Sequence, residues 1–310
     1  MSQKHYDVLI IGGGPAGLTA GLYTSRAKLR SLMVERMILG GQVMTTTKVE
    51  NYPGFPGGID GPDLMVRFQE HCQEFGLEVR YGEVENLVDQ GHLKAVRVDG
   101  EEILTRTVII TTGAEPRKLG VPGEQALTGR GVSYCATCDG AFFKNVPVAI
   151  IGGGDTAAEE ALFLTRFADK VYLIHRRDQL RATKILQERL FANDKIEILW
   201  DCEVERIEGD ARGVKAIELR NLKGCQKESL AVEGVFMAIG VTPKAHFLAE
   251  VLKLTEEGYI LTDAECRTSM PGVFAAGDVR KKILKQIATA VGDGAVAAIM
   301  AEKYLMDEEQ

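Results

Sequence analysis

A strand, a glycine-rich turn and a helix occur twice in this sequence, and this repeat restricts the fold more than any other feature. Residues 8–11 form an apolar run that leads into the glycines of residues 12–14. A stretch with helical periodicity follows at residues 18–27, and a second apolar run follows at residues 32–34. The same order recurs over residues 148–174. This order is typical of the βαβ unit that binds a dinucleotide. Two copies predict an α/β protein with two Rossmann-like dinucleotide-binding domains, although a chance pair of glycine turns is the alternative.

Glycine suits these turns because it lets the backbone turn tightly and approach a pyrophosphate. The free amides at the start of the following helix then favour the negative charge of the phosphates. We therefore expect the cofactor-binding residues of the two motifs to be Gly12, Gly14, Pro15, Ala16 and Gly17 in the first copy and Gly152, Gly154, Asp155 and Thr156 in the second.

The residues that follow the second strand distinguish the two copies. The first copy has Glu35, followed by Arg36, and the Glu35 carboxylate can accept hydrogen bonds from ribose hydroxyls. The second copy has His175, Arg176, Arg177 and Arg181 instead. Guanidinium groups bind a phosphate dianion, which a carboxylate would repel. The second site is therefore predicted to bind NADPH through its 2′-phosphate; the alternative is a solvated basic loop.

A third strand-like segment, residues 273–276, ends in Gly277 and Asp278, and a helical stretch follows over residues 285–304. The amides at the start of this helix, together with Asp278, could hold a polyol and phosphate chain. This pattern indicates that the first domain resumes after an insertion. Two segments connect the insertion to the first domain, and both contain glycine and proline. The residues of these segments that we expect to contact cofactors are Thr112, Gly113, Ile239 and Gly240.

The domain prediction follows from this chain order. Residues 1–114 and 245–310 are expected to form the FAD-binding domain. Residues 115–244 are expected to form the NADPH-binding domain, which also carries the closely spaced cysteines.

Cys135 and Cys138 are the only closely spaced pair among six cysteines. A zinc site needs four ligands, and the chain has no second such pair and no suitable histidine pair. A purely structural disulfide is disfavoured in a reducing compartment. The third interpretation is a redox-active dithiol, because this spacing lets the two sulfurs close a reversible disulfide.

Asp139 directly follows the second cysteine, and a carboxylate beside a thiol can exchange protons with it. A turn or helix-cap aspartate is the alternative and is compatible with the catalytic role. With a flavin site and an NADPH site, the expected order of electron transfer is NADPH, flavin, dithiol and then an outside disulfide.

Composition excludes several other classes. The apolar fraction of 45% allows a sizeable core, and the net charge of -7 argues against a generic nucleic-acid binder. Neither a signal peptide nor an apolar run of about 18 residues is present, so we expect a cytoplasmic location by default. No metal site is expected.

The sequence resembles the bacterial low-molecular-weight thioredoxin reductases over essentially its whole length. The motifs that carry the resemblance are Cys-Ala-Thr-Cys-Asp-Gly at 135–140, His-Arg-Arg-Asp at 175–178, Gly-Gly-Gln at 40–42, Val-Glu-Asn-Tyr-Pro-Gly at 49–54, Thr-Gly-Ala at 112–114 and Ala-Gly-Asp-Val at 276–279.

This resemblance implies a homodimer with non-covalent FAD, and thioredoxin as the partner. It also implies that Cys138 lies on the flavin side of the pair and that further flavin contacts come from Gly40, Gly41, Gln42, Asn51, Val84, Lys285, Gln286 and Ile287. Lys285 stands where the family often has arginine. Ala141 replaces a frequent aromatic, which leaves Phe142 and Phe143 as candidate docking residues or as ordinary core aromatics.

Two other functions remain open from the sequence. One is an NADPH-flavin reductase for another small redox protein, such as a glutaredoxin-like one. The other is a catalytically silent redox sensor that reports its dithiol state to a binding partner. Absence of steady-state turnover would favour the sensor.

Overall fold

The computed structural model describes residues 5–46, 48–224 and 227–308. Its strands are β1 (Tyr6–Ile11), β2 (Ser31–Glu35), β3 (Glu78–Tyr81), β4 (Val84–Gln90), β5 (Leu93–Val98), β6 (Glu101–Ile110), β7 (Ala114–Pro116), β8 (Val132–Ser133), β9 (Pro147–Gly152), β10 (Lys170–Ile174), β11 (Ile196–Leu199), β12 (Cys202–Asp210), β13 (Gly213–Asn221), β14 (Lys227–Ala231), β15 (Gly234–Ala238), β16 (Val241–Pro243) and β17 (Val273–Ala275). The helices are α1 (Pro15–Arg26), α2 (Gly61–Glu74), α3 (Glu124–Leu127), α4 (Ala136–Asp139), α5 (Asp155–Leu164), α6 (Lys184–Phe191) and α7 (Ile287–Glu308).

The chain divides into two compact units. The first comprises Met1–Glu115 and Thr242–Gln310, and the second comprises Pro116–Val241. The segments that join them, β7 and β16, pair with each other as a two-stranded sheet.

A seven-stranded sheet organises the first unit. Its order is β3-β2-β1-β6-β5-β4, and β17 also pairs with β6. The pairs β1–β2, β1–β6, β2–β3 and β17–β6 are parallel, whereas β4, β5 and β6 form an antiparallel meander. Val8, Leu9 and Ile10 on β1 are fully buried. A strand that is covered on both faces needs such a continuous apolar run. This is why residues 8–11 can be recognised as a buried strand from the sequence.

Helix α7 lies close against α1 in the same unit. A Cβ atom at Gly294 would lie 2.3 Å from the carbonyl oxygen of Ala16, so only glycine permits this approach. The close contact fixes the start of α1, where the first glycine motif ends.

The second unit contains a five-stranded parallel sheet with the order β11-β10-β9-β15-β8. A separate three-stranded antiparallel sheet, β12-β13-β14, belongs to the same unit. Helix α5 packs on β9 with Ala157, Ala161 and Leu164 in one buried cluster. The predicted α/β class with two dinucleotide-binding folds is therefore confirmed.

The helix bounds differ from the sequence prediction at their N-terminal ends. Helix α1 begins at Pro15 rather than at residue 18, and α5 begins at Asp155 rather than at residue 158. Proline suits the first helical position because its fixed φ angle matches the helix and no partner is needed for its missing N–H. The last helix is also displaced from the predicted residues 285–304, to Ile287–Glu308. None of the helices in the described ranges is long and apolar enough to cross a membrane.

Candidate functional site

The first glycine motif is held in a shape that requires glycine. Gly12 has a φ angle of +105°, and a Cβ atom at Gly17 would lie 1.9 Å from the carbonyl oxygen of Gly12. At Gly14, by contrast, the nearest atom to an added Cβ would be 4.0 Å away. Pro15 and Ala16 then begin α1. The loop is closely packed on its inner side and open at Gly14, as a backbone cradle for a phosphate chain must be.

Glu35 lies at the end of β2 and connects this loop to the strand. Its carboxylate accepts hydrogen bonds from the backbone N–H of Gly13 at 2.7 Å and of Met37 at 3.0 Å. A carboxylate has about four acceptor positions, so these two bonds leave capacity for a ribose hydroxyl. The neighbouring Arg36 is exposed and lies 3.7 Å from the Glu83 carboxylate.

Thr111 supports the same loop and was not predicted from the sequence. Its hydroxyl lies 2.7 Å from the carbonyl oxygen of Gly12 and 2.9 Å from that of Ile11. The next residue, Thr112, donates to the carbonyl oxygen of Lys244 at 2.6 Å, and Gly113 has a φ angle of +70° with open space around its Cα. A hydroxyl at the end of β6 was the only sequence signal for Thr111.

The structure brings the Gly40–Gly41 turn to the first glycine motif. Both glycines have positive φ angles, and a Cβ atom at Gly41 would lie 3.2 Å from the Cα of Gly14. The amide of Gly40 also donates to the carbonyl oxygen of Gly13 at 2.7 Å. Gln42 is exposed directly after this turn.

Asp278 presents a buried oxygen without a hydrogen-bond partner among the described groups. This is Oδ1, and the nearest cation is the Lys282 ammonium at 3.6 Å. Burial raises the pKa of the Asp278 carboxyl, while Lys282 and Lys285 oppose that shift. The amide of Gly277 is already used, since it donates to Asp293 Oδ2 at 3.0 Å. Asp278 Oδ1 is thus a polar atom whose partner can be a ligand.

Three more predicted flavin contacts lie at the start of α7. The Asn51 side-chain amide donates to Gln286 Oε1 at 3.0 Å, which joins two motifs that are far apart in sequence. The Lys285 ammonium lies 4.4 Å from the ring centre of Tyr259, and burial lowers the pKa of Lys285. Ile287 is half-buried as the first residue of α7. Val84 lies elsewhere on the sheet, half-buried at the start of β4 against the β4–β6 core.

The second glycine motif has a similar construction. A Cβ atom at Gly152 would lie 2.5 Å from the carbonyl oxygen of Ala238, whereas Gly154 has open space around it. Asp155 Oδ1 accepts from the backbone N–H of Thr183 at 2.6 Å, and Thr156 is exposed on α5. At the end of this unit, Gly240 has a φ angle of +102° and accepts from the backbone N–H of Arg117.

His175 differs from the three arginines that accompany it. Its ring is buried against Gly153, and Nε2 lies 3.0 Å from the carbonyl oxygen of Gln179. Burial lowers the pKa of His175, which favours the neutral ring. The structure therefore gives His175 a packing role beneath the glycine turn.

Arg176, Arg177 and Arg181 are exposed, and none forms an ion pair with an acidic group in the described part of the chain. The backbone N–H of Arg181 donates to the carbonyl oxygen of Gly153 at 2.7 Å. This bond ties the arginine segment to the glycine turn. The three guanidinium groups are consequently available to a phosphate near the second motif.

Cys135 and Cys138 form a disulfide, with their Cα atoms 5.3 Å apart. Both side chains are half-buried. The backbone N–H of Cys138 donates to Cys135 Sγ at 3.2 Å. This amide would also stabilise negative charge on that sulfur after reduction. The described residues contain no group of side chains that could hold a metal ion.

Asp139 is placed by a serine that the sequence interpretation did not identify. Ser133 Oγ donates to Asp139 Oδ2 at 2.6 Å and accepts from the backbone N–H of Cys135 at 3.1 Å. Burial raises the pKa of the Asp139 carboxyl, and the hydrogen bond from Ser133 opposes that rise. Ser133 thus holds the Asp139 carboxyl directly after the second cysteine, the position from which proton exchange with a thiol is predicted.

A second support lies before the cysteine pair. The Tyr134 hydroxyl donates to Glu124 Oε1 at 2.9 Å, while the Glu124 carboxylate also accepts from the backbone N–H groups of Leu119 and Gly120. Burial raises the pKa of Tyr134 to about 12. No spacing pattern in the sequence links Glu124 to Tyr134.

The two aromatic residues after the motif have different surroundings. Phe143 packs edge-on against Phe236, with ring centres 5.2 Å apart, and therefore serves the core. Phe142 is 47% exposed and is the one of the two that a partner could contact.

The chain is similar to known proteins over nearly its whole length. The family described as "Pyridine nucleotide-disulphide oxidoreductase" matches residues 6–294. A thioredoxin reductase of Listeria innocua is 50% identical over 303 residues, which cover 98% of this chain and 95% of that protein. A thioredoxin reductase of Bacillus subtilis is 47% identical over 308 residues, covering 99% and 97%. The crystal structure of thioredoxin reductase from Streptococcus pyogenes matches with a TM-score of 0.95 and 47% identity, covering 99% of this chain and 100% of that one.

Proposed function

The chain belongs to the pyridine nucleotide-disulphide oxidoreductase family, and from this premise we propose that it is an NADPH-dependent thioredoxin-disulfide reductase. The observation that carries this proposal is the Cys135–Cys138 disulfide with Asp139 beside it. This pair lies in the unit that also contains the second glycine motif and its arginines.

The first unit fits the adenosine and pyrophosphate part of FAD. Gly14 is open above a closely packed turn, Glu35 retains acceptor capacity, and Asp278 Oδ1 is buried without a partner among the described groups. We assign Glu35 to the ribose hydroxyls and Asp278 to the polyol chain. The further flavin contacts proposed from the family resemblance are Gly40, Gly41, Gln42, Asn51, Val84, Lys285, Gln286 and Ile287.

The second unit fits NADPH. Gly154 is open, and Arg176, Arg177 and Arg181 are exposed beside the glycine turn. We assign the arginines to the 2′-phosphate, since guanidinium groups make charge-assisted hydrogen bonds to phosphate oxygens. When bound, NADPH supplies a hydride and FAD relays two electrons to the disulfide.

The chain's own residues perform the thiol chemistry. Reduction breaks the Cys135–Cys138 bond and leaves a thiol and a thiolate, or two thiols after proton uptake. One thiolate attacks a sulfur of the thioredoxin disulfide, forming a mixed disulfide and releasing a thioredoxin thiolate. The other cysteine attacks the mixed disulfide, which restores Cys135–Cys138 and releases reduced thioredoxin. Asp139 exchanges protons with these sulfurs, and Ser133 holds its carboxyl in place.

Two finer proposals accompany this function. We propose a homodimer, supported by the family resemblance, and sedimentation equilibrium of the purified protein tests it. We also propose a cytoplasmic location, where NADPH and reduced thioredoxin are both available. Three described cysteines outside the redox pair, Cys72, Cys202 and Cys266, carry free thiols, which suits a reducing compartment. Cell fractionation tests the location.

Anaerobic reduction of the purified protein tests the function directly. The protein should be yellow and release FAD on denaturation, and NADPH should bleach its flavin absorbance. Addition of oxidised thioredoxin should then restore the absorbance with one disulfide reduced for each NADPH consumed. Restoration by a glutaredoxin-like protein but not by thioredoxin would identify a different reductase. Absence of any steady-state turnover would identify a redox sensor instead.

A further inference from the structure

Glu160 touches the redox turn from the neighbouring helix, and the reaction described above does not use it. The backbone N–H of Ala136, the fully buried residue that follows Cys135, is close enough to the Glu160 carboxyl to lower its pKa. One carboxyl oxygen, Oε2, is buried and has no hydrogen-bond partner among the described groups. Helix α4 lies close to α5 here, since a Cβ atom at Gly140 would be 3.2 Å from Leu164 Cδ2.

The surroundings of Glu160 favour its neutral form. Ala136, Ala157, Ala161 and Leu164 form one apolar cluster around this part of α5. A carboxylate oxygen buried there without a donor is costly when charged. Burial accordingly raises the pKa of the Glu160 carboxyl to about 7. The Ala136 N–H opposes this rise, and the charge of Glu159 adds to it.

Other ionisable groups lie on some of the elements that surround α5. Strands β9 and β15 carry none, and Lys170 on β10 pairs with Glu197. Tyr172 on β10 is half-buried, and Asp155 at the start of α5 accepts from Thr183. The ionisable groups of α6 are exposed, namely Lys184, Glu188 and Arg189. Helix α4 carries Asp139 and Cys138, and Cys135 immediately precedes it. The sulfurs of Cys135 and Cys138 belong to the turn that contains Ala136, and their charge changes during the reaction.

We propose that Glu160 is a positioning residue of the redox pair whose carboxyl binds a proton when Cys135–Cys138 is reduced and releases it when the disulfide reforms. This inference rests on the proposed function, because it requires the pair to cycle. On reduction, NADPH supplies two electrons, the S–S bond breaks, and the negative charge left on sulfur strengthens proton binding at Glu160. That proton comes from the solvent. On reoxidation, the electrons pass to the partner disulfide, the S–S bond reforms, and the proton returns to the solvent.

The pH dependence of the dithiol–disulfide equilibrium tests this coupling. The holoenzyme is equilibrated with a dithiothreitol redox buffer at several pH values between 6 and 8. It is then quenched in acid and alkylated, and the alkylated peptide containing Cys135 and Cys138 is quantified by mass spectrometry. The variant is Glu160→Gln, which keeps a carbonyl oxygen near the Ala136 N–H but cannot bind the proton. Glu188→Gln makes the same change in charge at an exposed position on α6 and is the matched control.

The wild type and Glu188→Gln should share one pH dependence. If reduction raises the pKa of Glu160 by about one unit, reduction of the wild-type disulfide becomes more favourable at low pH than reduction of the Glu160→Gln disulfide. The ratio of the wild-type to the Glu160→Gln equilibrium constant for reduction should then be about fivefold larger at pH 6 than at pH 8. An unchanged pH dependence in Glu160→Gln would overturn the inference. If the wild-type pair is not reduced by NADPH or by the buffer, the proposed function itself fails.

A second measurement does not depend on the variant folding. In wild-type protein labelled with ¹³C at the glutamate carboxyls, one resonance should titrate near pH 7 in the oxidised enzyme. The same resonance should titrate at higher pH after reduction by dithiothreitol. If no glutamate resonance shows this shift, the coupling between Glu160 and the redox pair is contradicted.

Discussion

At the scale of single residues, we predict that the arginines beside the second glycine motif determine which nicotinamide cofactor is used. Replacing both Arg176 and Arg177 with alanine should weaken NADPH binding and leave NADH binding nearly unchanged. Hydrogen bonds to charged groups are worth about 1.5–3 kcal/mol each, so losing two should raise the Kd for NADPH about a hundredfold or more. Titration of each variant with both nucleotides measures the effect. Arg189→Ala, an exposed arginine on α6, is the control. Equal losses for NADPH and NADH would reject the assignment.

Ser133 lowers the pKa of Asp139, and we predict that this effect can be observed in a pH–rate profile. Burial raises the pKa of Asp139, and Ser133 lowers it by donating to the charged carboxylate. Removing the donor in Ser133→Ala should therefore raise the pKa further. If the protonated carboxyl donates to a leaving thiolate, activity falls above this pKa. The falling limb of thioredoxin reduction should then move to higher pH, by about one to two units. A limb that stays in place or moves to lower pH would contradict the role of Ser133.

The residues that the sequence predicted and those that it missed differ in a physical way. Cys135, Cys138 and Asp139 are adjacent in the chain, so their spacing alone points to their chemistry. Ser133 and Glu160 act through a backbone turn and a neighbouring helix, and such contacts exist only after folding. The burial of His175 was not predicted either. It stands within a basic motif but is buried against Gly153, because the glycine turn leaves room for its ring, and its contact with the cofactor stays a prediction.

At the scale of secondary-structure elements, the first βαβ unit depends on a close contact between the start of helix α1 and the glycine loop that precedes it. A Cβ atom at Gly17 would lie 1.9 Å from the Gly12 carbonyl oxygen, which is backbone and cannot rotate away. Gly17→Ala should therefore displace the loop, and the purified variant should retain little FAD and melt at a lower temperature. The ratio of flavin to protein absorbance and a thermal melt measure both effects.

Gly292→Ala on α7 is the matched control for that change. Gly292 is exposed, has no atom within 4 Å of an added Cβ and lies inside a helix. Alanine there should keep the flavin and stabilise the protein by about 0.5–1 kcal/mol. Full flavin content in Gly17→Ala would show that the loop adapts and that the close approach is not required.

The elements themselves were predictable to different degrees. The two βαβ units could be predicted because buried parallel strands leave continuous apolar runs and the glycine turns mark their ends. The antiparallel sheet β12-β13-β14 was not predicted. Its strands are partly exposed and rich in charged residues, so the apolar pattern that marks a buried strand is weak there. The pairing of β7 with β16 joins segments more than a hundred residues apart, and no local pattern indicates it.

At the scale of the whole molecule, the chain order divides the redox groups between two units. The cysteine pair and the arginines lie in Pro116–Val241, whereas Glu35 and Asp278 lie in the other unit. Hydride transfer and thiol attack on a flavin each need reacting atoms about 3–3.5 Å apart, and the dithiol must also reach a protein-sized partner. We therefore predict that the second unit rotates about its two connections during turnover.

A cross-link that joins the two units tests this prediction. It should stop NADPH-dependent thioredoxin reduction while sparing one half-reaction, either flavin reduction by NADPH or flavin reoxidation by the disulfide. Reduction of the cross-link should restore turnover. A locked enzyme that reduces thioredoxin at the full rate would show that a single arrangement suffices.

The central claim is that electrons reach thioredoxin only through Cys135 and Cys138, and separating the two half-reactions tests it most directly. In Cys135→Ser and in Cys138→Ser, NADPH should still bleach the flavin under anaerobic conditions, because that step does not use the sulfurs. Thioredoxin reduction should fall to the background rate in both variants, because neither can re-form the disulfide. Retained thioredoxin turnover in either variant, with NADPH as the electron donor, would contradict the account.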